Sequence, residues 1–522
     1  MKPSFAVLVT LLSALTIAHP TISSPSVDGD SIKSNAGISE KRWSPRPSQA
    51  PSRTAQPKNS TSRESRYTVR WKEVDSKVVL TAPGVKQYTG YLDDNVEDKH
   101  LFYWLLESQS KPASDPIILW LNGGPGAASS IGRLSVPGLH KFYDGAPNPN
   151  AWNRNASILF LDQPTNVGFS YGKNVSSTKV AAKDVYAMLS TFFKEKPQYS
   201  KQPFYIWGVS YGGHWVPAFA NELLSRPDNK INLKGAIIAN GITDSYNQVK
   251  HMPDMACGKG GVKALFNETL CKELQTVHMP KAQQLVTECN EKANKTACVA
   301  AEDYWQKNFI GRVGRAGYEP SDISRPPRQR NGTAGPGPED TFLNSPEVMR
   351  ALGTEGHRFI IQREDTFSLF HDSGDVALSM VPYVRNIIKK IPLLVYAGDK
   401  DYICDWMGVK AWTEALEWSG KAEYNRAGLK PFVVRGKELG QIKGTKGLTY
   451  ARVYGGGHSA DQAAPEAVLA LLYDFILPSP SRVPPQAVTS RAAPSRPVTS
   501  KATSFRSAPT SSVRPRSRRF MA

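Results

Sequence analysis

The sequence predicts an α/β protein with a mostly parallel central sheet and helices on both of its faces. Two observations favour this class. Short apolar runs that end at turn residues alternate with longer stretches of helical periodicity, as expected where strands are buried on both faces. One long segment breaks that alternation and holds four of the five cysteines, which indicates an insertion into the sheet-forming part of the chain.

The strand predictions depend on apolar runs that are too short for buried helices. These runs are residues 117–121, 158–161, 204–207, 236–239, 393–396 and 449–454. Residues 180–195 and 214–225 have apolar positions at helical spacing and connect successive runs. Strands separated by helices favour a parallel sheet, because a parallel connection must return from one end of the sheet to the other.

The insertion spans residues 245–345 and divides the predicted core into residues 67–244 and 346–477. Within the insertion we expect two helical segments and a loop rich in Gly, Pro and Arg, at 262–277, 281–308 and 311–340. We interpret the whole segment as a helical cap stapled by disulfides.

The amino-terminal residues indicate the secretory route. Lys2 precedes an apolar stretch at 5–17 and a small residue, Ala18, which is the pattern of a signal peptide over residues 1–18. No later run reaches the ~18 apolar residues that a membrane helix needs, and the carboxyl-terminal residues lack the apolar tail of a lipid-anchor signal. We therefore expect a protein without a membrane anchor that is secreted, with the vacuole as an alternative destination.

Cysteines and glycosylation triplets both fit that route. In an oxidising compartment five cysteines imply two disulfides and one free thiol. The four clustered cysteines allow three connectivities, of which we expect the local one, Cys257 with Cys271 and Cys289 with Cys298. Cys404 is then a small buried apolar residue. The candidate glycosylation sites are Asn59, Asn155, Asn174, Asn267, Asn294 and Asn331.

The formal net charge of +19 does not indicate a nucleic-acid-binding protein. Residues 481–522 carry nine Arg and Lys and no acid, residues 19–66 contribute +4 and Lys2 one more, which leaves +5 for residues 67–480. Both terminal stretches are rich in Ser, Pro and Arg and cannot bury enough apolar surface to fold. We expect a disordered propeptide-like segment at 19–66 and a disordered tail at 478–522.

The candidate nucleophile is Ser210. It lies in Gly208-Val-Ser-Tyr-Gly212, after the predicted strand that ends at Trp207 and before a helical pattern. The two glycines permit the sharp strand-to-helix turn that raises a serine hydroxyl above a sheet. That context makes a short Gly-X-Ser-X-Gly pattern informative.

A serine hydroxyl needs a base that removes its proton and an acid that orients the base. Among nine histidines, only His458 follows a predicted strand and a run of glycines. Asp399 and Asp401 follow the strand that ends at Tyr396, and the pattern alone leaves both open as the orienting acid. These loops leave the carboxyl ends of strands, where open α/β sheets hold their sites.

Backbone donors for a developing oxyanion are predicted in Asn122-Gly-Gly-Pro-Gly126. Glycines at this place let N–H groups approach a reacting carbonyl closely. An ordinary Gly/Pro turn is the alternative. The functional interpretation is favoured because this loop follows a strand of the sheet that carries Ser210.

The chain resembles the serine carboxypeptidases of the yeast carboxypeptidase Y and wheat carboxypeptidase family. Matching stretches extend over about residues 85–475 and begin at Tyr88, His100, Trp120, Phe160, Ser210, Ala239, Val395 and Gly457. The stretch Asp162-Gln-Pro…Gly168-Phe-Ser-Tyr171 is highly specific. The resemblance implies an α/β-hydrolase fold and a secreted enzyme without metal or cofactor. It would release carboxyl-terminal amino acids from peptides or proteins through an acyl-serine intermediate.

The resemblance also implies roles for individual residues. Ser210 would be the nucleophile, His458 the base, and Asp401 rather than Asp399 the orienting acid. The substrate-binding groups would be the backbone N–H groups of Gly124 and Tyr211 as the oxyanion hole, with Asn122 and Gly123 holding the substrate's terminal carboxylate.

Several positions depart from the family pattern. Val209 and Val136 stand where the family usually has two glutamates that share a proton and help to hold the substrate's carboxylate. Because valine cannot titrate, we expect the KM for peptides to vary little from about pH 4 to 7. Ala127 replaces a family cysteine, in agreement with a free Cys404, and the residues after His458 lack the usual Val-Pro.

Two alternatives to a carboxypeptidase remain open at this level. An acyltransferase or esterase on the same scaffold would form the same acyl-serine and pass it to an alcohol, so peptide and ester substrates distinguish it. A non-catalytic secreted binding protein is disfavoured, because the serine, acid, histidine and glycine loop are all present.

Overall fold

The computed structural model describes residues 65–135, 148–292, 294–326 and 337–477 of the chain. The predicted signal peptide, most of the propeptide-like segment, the tail, Asn59, Asn331 and Val136 lie outside the described residues. Within these ranges no helix combines the length and apolar character that crossing a membrane requires.

In the described part of the chain, thirteen strands form one mixed sheet. In chain order they are β1 (Tyr67–Val69), β2 (Lys72–Glu73), β3 (Gln87–Asp94), β4 (Lys99–Leu106), β5 (Ile117–Leu121), β6 (Ser157–Leu161), β7 (Tyr171–Gly172), β8 (Phe204–Ser210), β9 (Leu233–Gly241), β10 (Leu393–Gly398), β11 (Lys430–Val434), β12 (Lys437–Gly444) and β13 (Leu448–Val453). Across the sheet the order is β1-β3-β4-β6-β5-β8-β9-β10-β13-β12-β11, with β2 paired to β3 and β7 to β4.

The centre of the sheet is parallel and both of its edges are antiparallel. Strands β6, β5, β8, β9, β10 and β13 pair in parallel, and they are the six strands predicted from apolar runs. The outer strands β1 to β4, β7, β11 and β12 pair antiparallel. The predicted fold class is confirmed, with the antiparallel edges as an addition.

Helices cover both faces of this sheet. They are α1 (Thr178–Glu195), α2 (Gly212–Ser225), α3 (Ser245–Ala256), α4 (Glu268–Glu273), α5 (Met279–Lys292), α6 (Lys295–Trp305), α7 (Gly311–Arg315), α8 (Pro338–Leu343), α9 (Pro346–Leu352), α10 (Glu364–Ser373), α11 (Val381–Ile387), α12 (Trp406–Ala415), α13 (Lys421–Arg426), α14 (Ala460–Ala463) and α15 (Pro465–Ile476). Because strand side chains alternate, Leu119 of β5 enters one apolar cluster and Ile118 and Trp120 enter the cluster on the opposite face.

The region predicted as an insertion is helical and carries both disulfides. The second predicted helical segment, 281–308, consists of α5 and α6, because Asn294 interrupts it. The Asn294 side chain caps α6 by accepting hydrogen bonds from the backbone N–H groups of Thr296 and Ala297, at 3.0 and 3.3 Å. The disulfides join Cys257 to Cys271 and Cys289 to Cys298, the local pairing that we expected, while Cys404 is buried and unpaired.

Glu302 of α6 is a fully buried acid. Its side chain is 1% exposed, and neither carboxylate oxygen has a hydrogen-bond partner among the described residues. Burial raises the pKa of this carboxyl to about 8, although nearby His371 opposes the shift. The native state therefore retains a proton that the unfolded chain releases near a pKa of ~4.3. As a result, the free energy of unfolding falls as the pH rises from about 4.5 to 8.

We expect Glu302→Gln to reduce the loss of thermal stability between about pH 5 and pH 8, because glutamine has no proton to release. Burial also raises the pKa values of Asp162 and Asp461 to about 6 and that of Asp405 to about 8, so part of the loss should persist. Thermal unfolding at both pH values provides the measurement. Glu291→Gln, at an exposed position of α5, is the matched control. An unchanged difference in Tm for Glu302→Gln would contradict this explanation.

Candidate active site

Strand β8 carries Ser210 to the carboxyl edge of the sheet. The backbone φ of Ser210 is +63°, a region that few residues other than glycine adopt, and α2 begins two residues later at Gly212. A Cβ on Gly208 would lie 2.8 Å from Val216 Cγ2 and 3.0 Å from Gly212 Cα, so this position excludes a side chain. The turn is the tight strand-to-helix connection that the Gly-X-Ser-X-Gly pattern predicts.

His458 lies at the same edge and is bonded to Asp401. Its Nδ1 is 2.9 Å from Asp401 Oδ2, and the two side chains are 3% and 0% exposed. The other ring nitrogen, Nε2, is buried without a hydrogen-bond partner among the described residues. An imidazole held at Nδ1 by a carboxylate has Nε2 available to accept a proton.

Asp401 is fixed in this orientation by further hydrogen bonds. Its Oδ1 accepts from the backbone N–H groups of Ile403 and Cys404, at 2.9 and 3.2 Å. Its Oδ2 accepts from Asn240 Nδ2 at 2.8 Å as well as from His458. The sequence pattern did not predict a role for Asn240, although this residue lies in one of the stretches that carry the family resemblance. Its position at the carboxyl end of the predicted strand β9 is the sequence feature that could have indicated this role.

Asp399 has a different set of partners. Its Oδ1 accepts from the backbone N–H of Gly455 at 2.8 Å, and its Oδ2 lies 3.4 Å from Arg452 Nη2 and 3.7 Å from Lys400 Nζ. These contacts fix the loop that precedes His458. Of the two acids that the pattern left open, Asp401 is therefore the one that contacts the imidazole.

The glycine loop after β5 packs directly against the Ser210 turn. An ideal Cβ on Gly123 would lie 2.4 Å from the Tyr211 backbone nitrogen and 2.5 Å from Ser210 Cβ. In the described residues, the backbone N–H groups of Gly124 and Tyr211 donate to no acceptor. An oxyanion hole is built from such unpaired backbone N–H groups near the nucleophilic serine.

The ring of Tyr211 is anchored away from the cleft. Its hydroxyl donates to Asp375 Oδ1 at 2.5 Å, and the same carboxylate accepts from the Thr178 backbone N–H at 3.1 Å. Burial raises the pKa of the Tyr211 hydroxyl well above its ordinary value, with the Asp375 charge adding to the effect. The anchored ring fixes the position of the Tyr211 backbone N–H.

Asn122 lines the cleft with its side-chain amide held in place. Its Nδ2 donates to the Ala128 carbonyl at 2.7 Å, and its Oδ1 accepts from Trp120 Nε1 at 2.9 Å. An amide nitrogen carries two hydrogens, so one remains for a ligand. The proposed carboxylate-binding position is thus rigid.

A cleft of about 1010 Å³, a volume that includes the part open to solvent, lies at this edge of the sheet. Ser210 and His458 lie in its wall together with Asn122, Gly123 and Gly124. Most of its other lining side chains are apolar, among them Trp120, Ala127, Ile131, Leu134, Val209 and Ile361. A cleft of this kind accepts an apolar side chain beside the reacting groups.

Two acids in this cleft were missed by the sequence analysis. Asp461 and Glu339 line it and are 4% and 6% exposed. Asp461 lies in the stretch after His458 that departs from the family pattern, so a signal for it was present. Glu339 lies in a region predicted as a loop, and nothing local places it near Ser210.

Asp162, the first residue of the Asp-Gln-Pro stretch, connects two segments of the chain near the cleft. Asp162 is fully buried and accepts hydrogen bonds from the Ser130 backbone N–H, the Ser130 hydroxyl and the Phe169 backbone N–H, at 2.8, 2.9 and 3.2 Å. A Cβ on Gly168 would lie 2.0 Å from Asp162 Oδ2, which explains the glycine. Asp162 therefore joins the loop after β6 to the segment that forms one wall of the cleft.

The fold and the arrangement of serine, histidine and acid define a class of hydrolase, and comparison with known proteins identifies the family. The sequence model of the serine carboxypeptidases matches residues 79–477. The chain belongs to the serine carboxypeptidase family and is a serine-type carboxypeptidase with an α/β-hydrolase fold.

Fungal relatives are similar over the same part of the chain. Carboxypeptidase Y homolog A of Uncinocarpus reesii is 44% identical over 418 residues, which cover 77% of this chain and 76% of that protein. Carboxypeptidase Y homolog A of Aspergillus niger is 42% identical over 417 residues, covering 77% and 74%. Among solved structures, Kex1(delta)p, a prohormone-processing carboxypeptidase from Saccharomyces cerevisiae, matches with a TM-score of 0.65 and 20% identity over 77% of this chain and 95% of that chain. The last similarity concerns the fold alone.

Proposed function

We propose that Ser210 attacks the last peptide carbonyl of a peptide or protein substrate, with His458 as the base and Asp401 as the acid that orients it. His458 Nε2 takes the hydroxyl proton as the serine oxygen bonds to the carbonyl carbon. It then returns that proton to the leaving amine as the peptide bond breaks. Water, activated by the same imidazole, hydrolyses the acyl-serine and restores the enzyme.

One observation carries this proposal. His458 is buried with Nδ1 bonded to Asp401 and Nε2 without a partner among the described residues, and it lines the same cleft as Ser210. A buried imidazole nitrogen without a hydrogen bond lowers the stability of the fold, so its presence here calls for a functional reason. A role as the proton acceptor for Ser210 accounts for this arrangement.

The backbone N–H groups of Gly124 and Tyr211 stabilise the oxyanion in this proposal. Both lack an acceptor in the described structure, so neither needs to break a bond before it donates. Asn122 and Gly123 hold the terminal carboxylate of the substrate. The apolar wall that includes Trp120 receives the side chain of the residue that is released.

The test is carboxyl-terminal trimming of a mixed peptide library, followed by mass spectrometry. We expect fragments that lose one carboxyl-terminal residue at a time, with no internal cleavage. Ser210→Ala should give no trimming while it keeps the Tm of the wild type. Hydrolysis of esters without any trimming of peptides would favour an esterase and contradict the proposal.

The proposal extends to processing and location. We infer that residues 1–18 direct secretion and that residues 19–66 and 481–522 are dispensable for an active body formed by the core and the 245–345 cap. The exposure of Asn174, Asn267 and Asn294, with Asn155 half-buried, supports glycosylation along that route. Mass spectrometry of the mature protein from its native host would identify both ends and the glycosylated positions.

A further inference from the structure

Asp461 gives the cleft a titratable group that the reaction described above does not use. It lies three residues after His458, lines the same cleft as Ser210 and Asn122, and is 4% exposed. Val209, in a position where a glutamate is usual for the family, also lines this cleft. The described lining of this cleft therefore contains an acid from a different part of the chain, although residue 209 is a valine.

The surroundings of Asp461 favour its neutral form at acidic pH. Burial raises the pKa of its carboxyl to about 6, although backbone N–H groups of Asp461 itself and Gln462, and the nearby His458, act in the opposite direction. Tyr396 also faces it, and the pKa of the tyrosine hydroxyl is well above its ordinary value because of burial and the Asp461 charge. Glu339 is the remaining titratable group in the described lining of the cleft.

Apart from the imidazole of His458, the described cleft lining offers no cationic side chain to a carboxylate, because it contains neither Lys nor Arg. Within this described lining, most of the groups that can donate a hydrogen bond to a terminal carboxylate are neutral. The Asn122 amide and backbone N–H groups are two such donors, and a protonated carboxyl is a third. An ionised Asp461 would instead repel the carboxylate in a setting where burial strengthens that repulsion.

We propose that the protonated carboxyl of Asp461 donates a hydrogen bond to the terminal carboxylate of the peptide substrate and thereby makes binding of free carboxyl termini depend on pH. This inference rests on the proposed function, since it assigns the cleft to the carboxyl-terminal residue. It replaces the nearly constant KM that the two valines led us to expect. The site binds free carboxyl termini well at acidic pH and weakly at neutral pH.

The first experiment measures binding without turnover. In the Ser210→Ala protein, calorimetry gives the Kd of an amino-blocked dipeptide with a free carboxyl terminus at about pH 5 and pH 8. If only the protonated form of Asp461 binds, Kd rises roughly 10- to 100-fold over this interval. The same dipeptide as its terminal amide should show a Kd that changes less than about twofold. Equal Kd values for the free acid at both pH values would overturn the proposal.

Substitution of Asp461 identifies the group responsible. Asp461→Asn, in the same Ser210→Ala background, retains a side-chain donor and cannot ionise, so its Kd at about pH 8 should approach the wild-type value at pH 5. Asp461→Ala should bind more weakly at pH 5 and lack the pH dependence. Glu339→Gln is the matched control from the same cleft and should keep the wild-type rise. Persistence of the rise in Asp461→Asn, or its loss in Glu339→Gln, would assign the effect to another group.

Kinetics distinguish carboxylate binding from two other roles. With Ser210 intact, Asp461→Asn should flatten the pH profile of KM and leave the profile of kcat in place. A shifted kcat profile with an unchanged KM profile would show that Asp461 acts through His458, and would overturn the proposal. Tighter binding of a carboxyl-terminal lysine peptide at about pH 8 than at pH 5 would show that Asp461 binds basic side chains instead. The binding measurements need no turnover, so they separate failure of this inference from failure of the proposed function.

Discussion

Ser210→Ala and His458→Ala are each expected to lower kcat by roughly 10⁴- to 10⁶-fold, and the double variant should be no slower than either single one. Neither step of acyl transfer proceeds efficiently when one partner is absent, so the two losses do not add. Each substitution removes few atoms compared with the size of the packed core, so we expect Tm values close to that of the wild type. The measurement is the initial rate of release of the terminal residue from an amino-blocked dipeptide.

Asp401→Asn tests which of the two candidate acids orients His458. An asparagine at this position can donate its amide to His458 Nδ1, which favours the wrong tautomer of the imidazole, and kcat should fall by roughly 10³- to 10⁴-fold. Asp399→Asn is its control, because Asp399 bonds to Gly455 and lies near Arg452 rather than His458. Its effect should be less than about tenfold. Equal losses in the two variants would contradict the assignment of the orienting acid.

The choice between Asp399 and Asp401 shows what the pattern of residues lacked. Both acids follow the same strand, and a separation of two residues leaves either able to face the histidine. The turn after β10 decides the matter, because the backbone N–H groups of Ile403 and Cys404 fix Asp401 Oδ1. Such bonds form only after the loop has folded, so spacing alone could not reveal them.

The sequence likewise predicts some strands of the sheet and not others. The parallel strands are buried on both faces and have almost continuous apolar sequences, so their pattern is easily recognised. The antiparallel strand β12, between β13 and the edge strand β11, reads Lys-Glu-Leu-Gly-Gln-Ile-Lys-Gly, and half-exposed or exposed positions dominate it. It is a strand because β13 and β11 pair with it on its two sides, which is a tertiary effect. The sequence of β12 alone does not specify it.

Asp461 and Glu339 illustrate a further limit. The sequence showed that acids were absent at Val209 and Val136, and the simplest conclusion was a cleft without titrating carboxyls. The fold brings acids from α14 and α8 to the same cleft. Which side chains share a cavity depends on how distant segments pack, so the loss of a group at one position does not show its loss from the site.

Gly123→Ala is expected to lower kcat by roughly 10²- to 10³-fold, the loss that follows removal of one oxyanion donor. The added Cβ would lie 2.4 Å from the Tyr211 nitrogen, 2.5 Å from Ser210 Cβ and 2.7 Å from the Val209 carbonyl oxygen. All three atoms belong to the backbone or lie next to it, so no flexible side chain can relieve the contact. The loop must move away from the serine turn, and Gly124 moves with it.

The matched control is Gly212→Ala, in the other half of the same turn. A Cβ on Gly212 would have its nearest neighbour outside its own helix, the Leu121 carbonyl oxygen, at 3.7 Å, which is an ordinary contact. Although this glycine completes the Gly-X-Ser-X-Gly pattern, alanine fits there, and kcat should stay within about tenfold of the wild type. Comparable losses in the two variants would show that the close packing of Gly123 does not control the reaction. A large loss for Gly123→Ala with an unchanged Tm would mean that the spacing between the glycine loop and the serine turn, rather than the stability of the sheet, sets the rate.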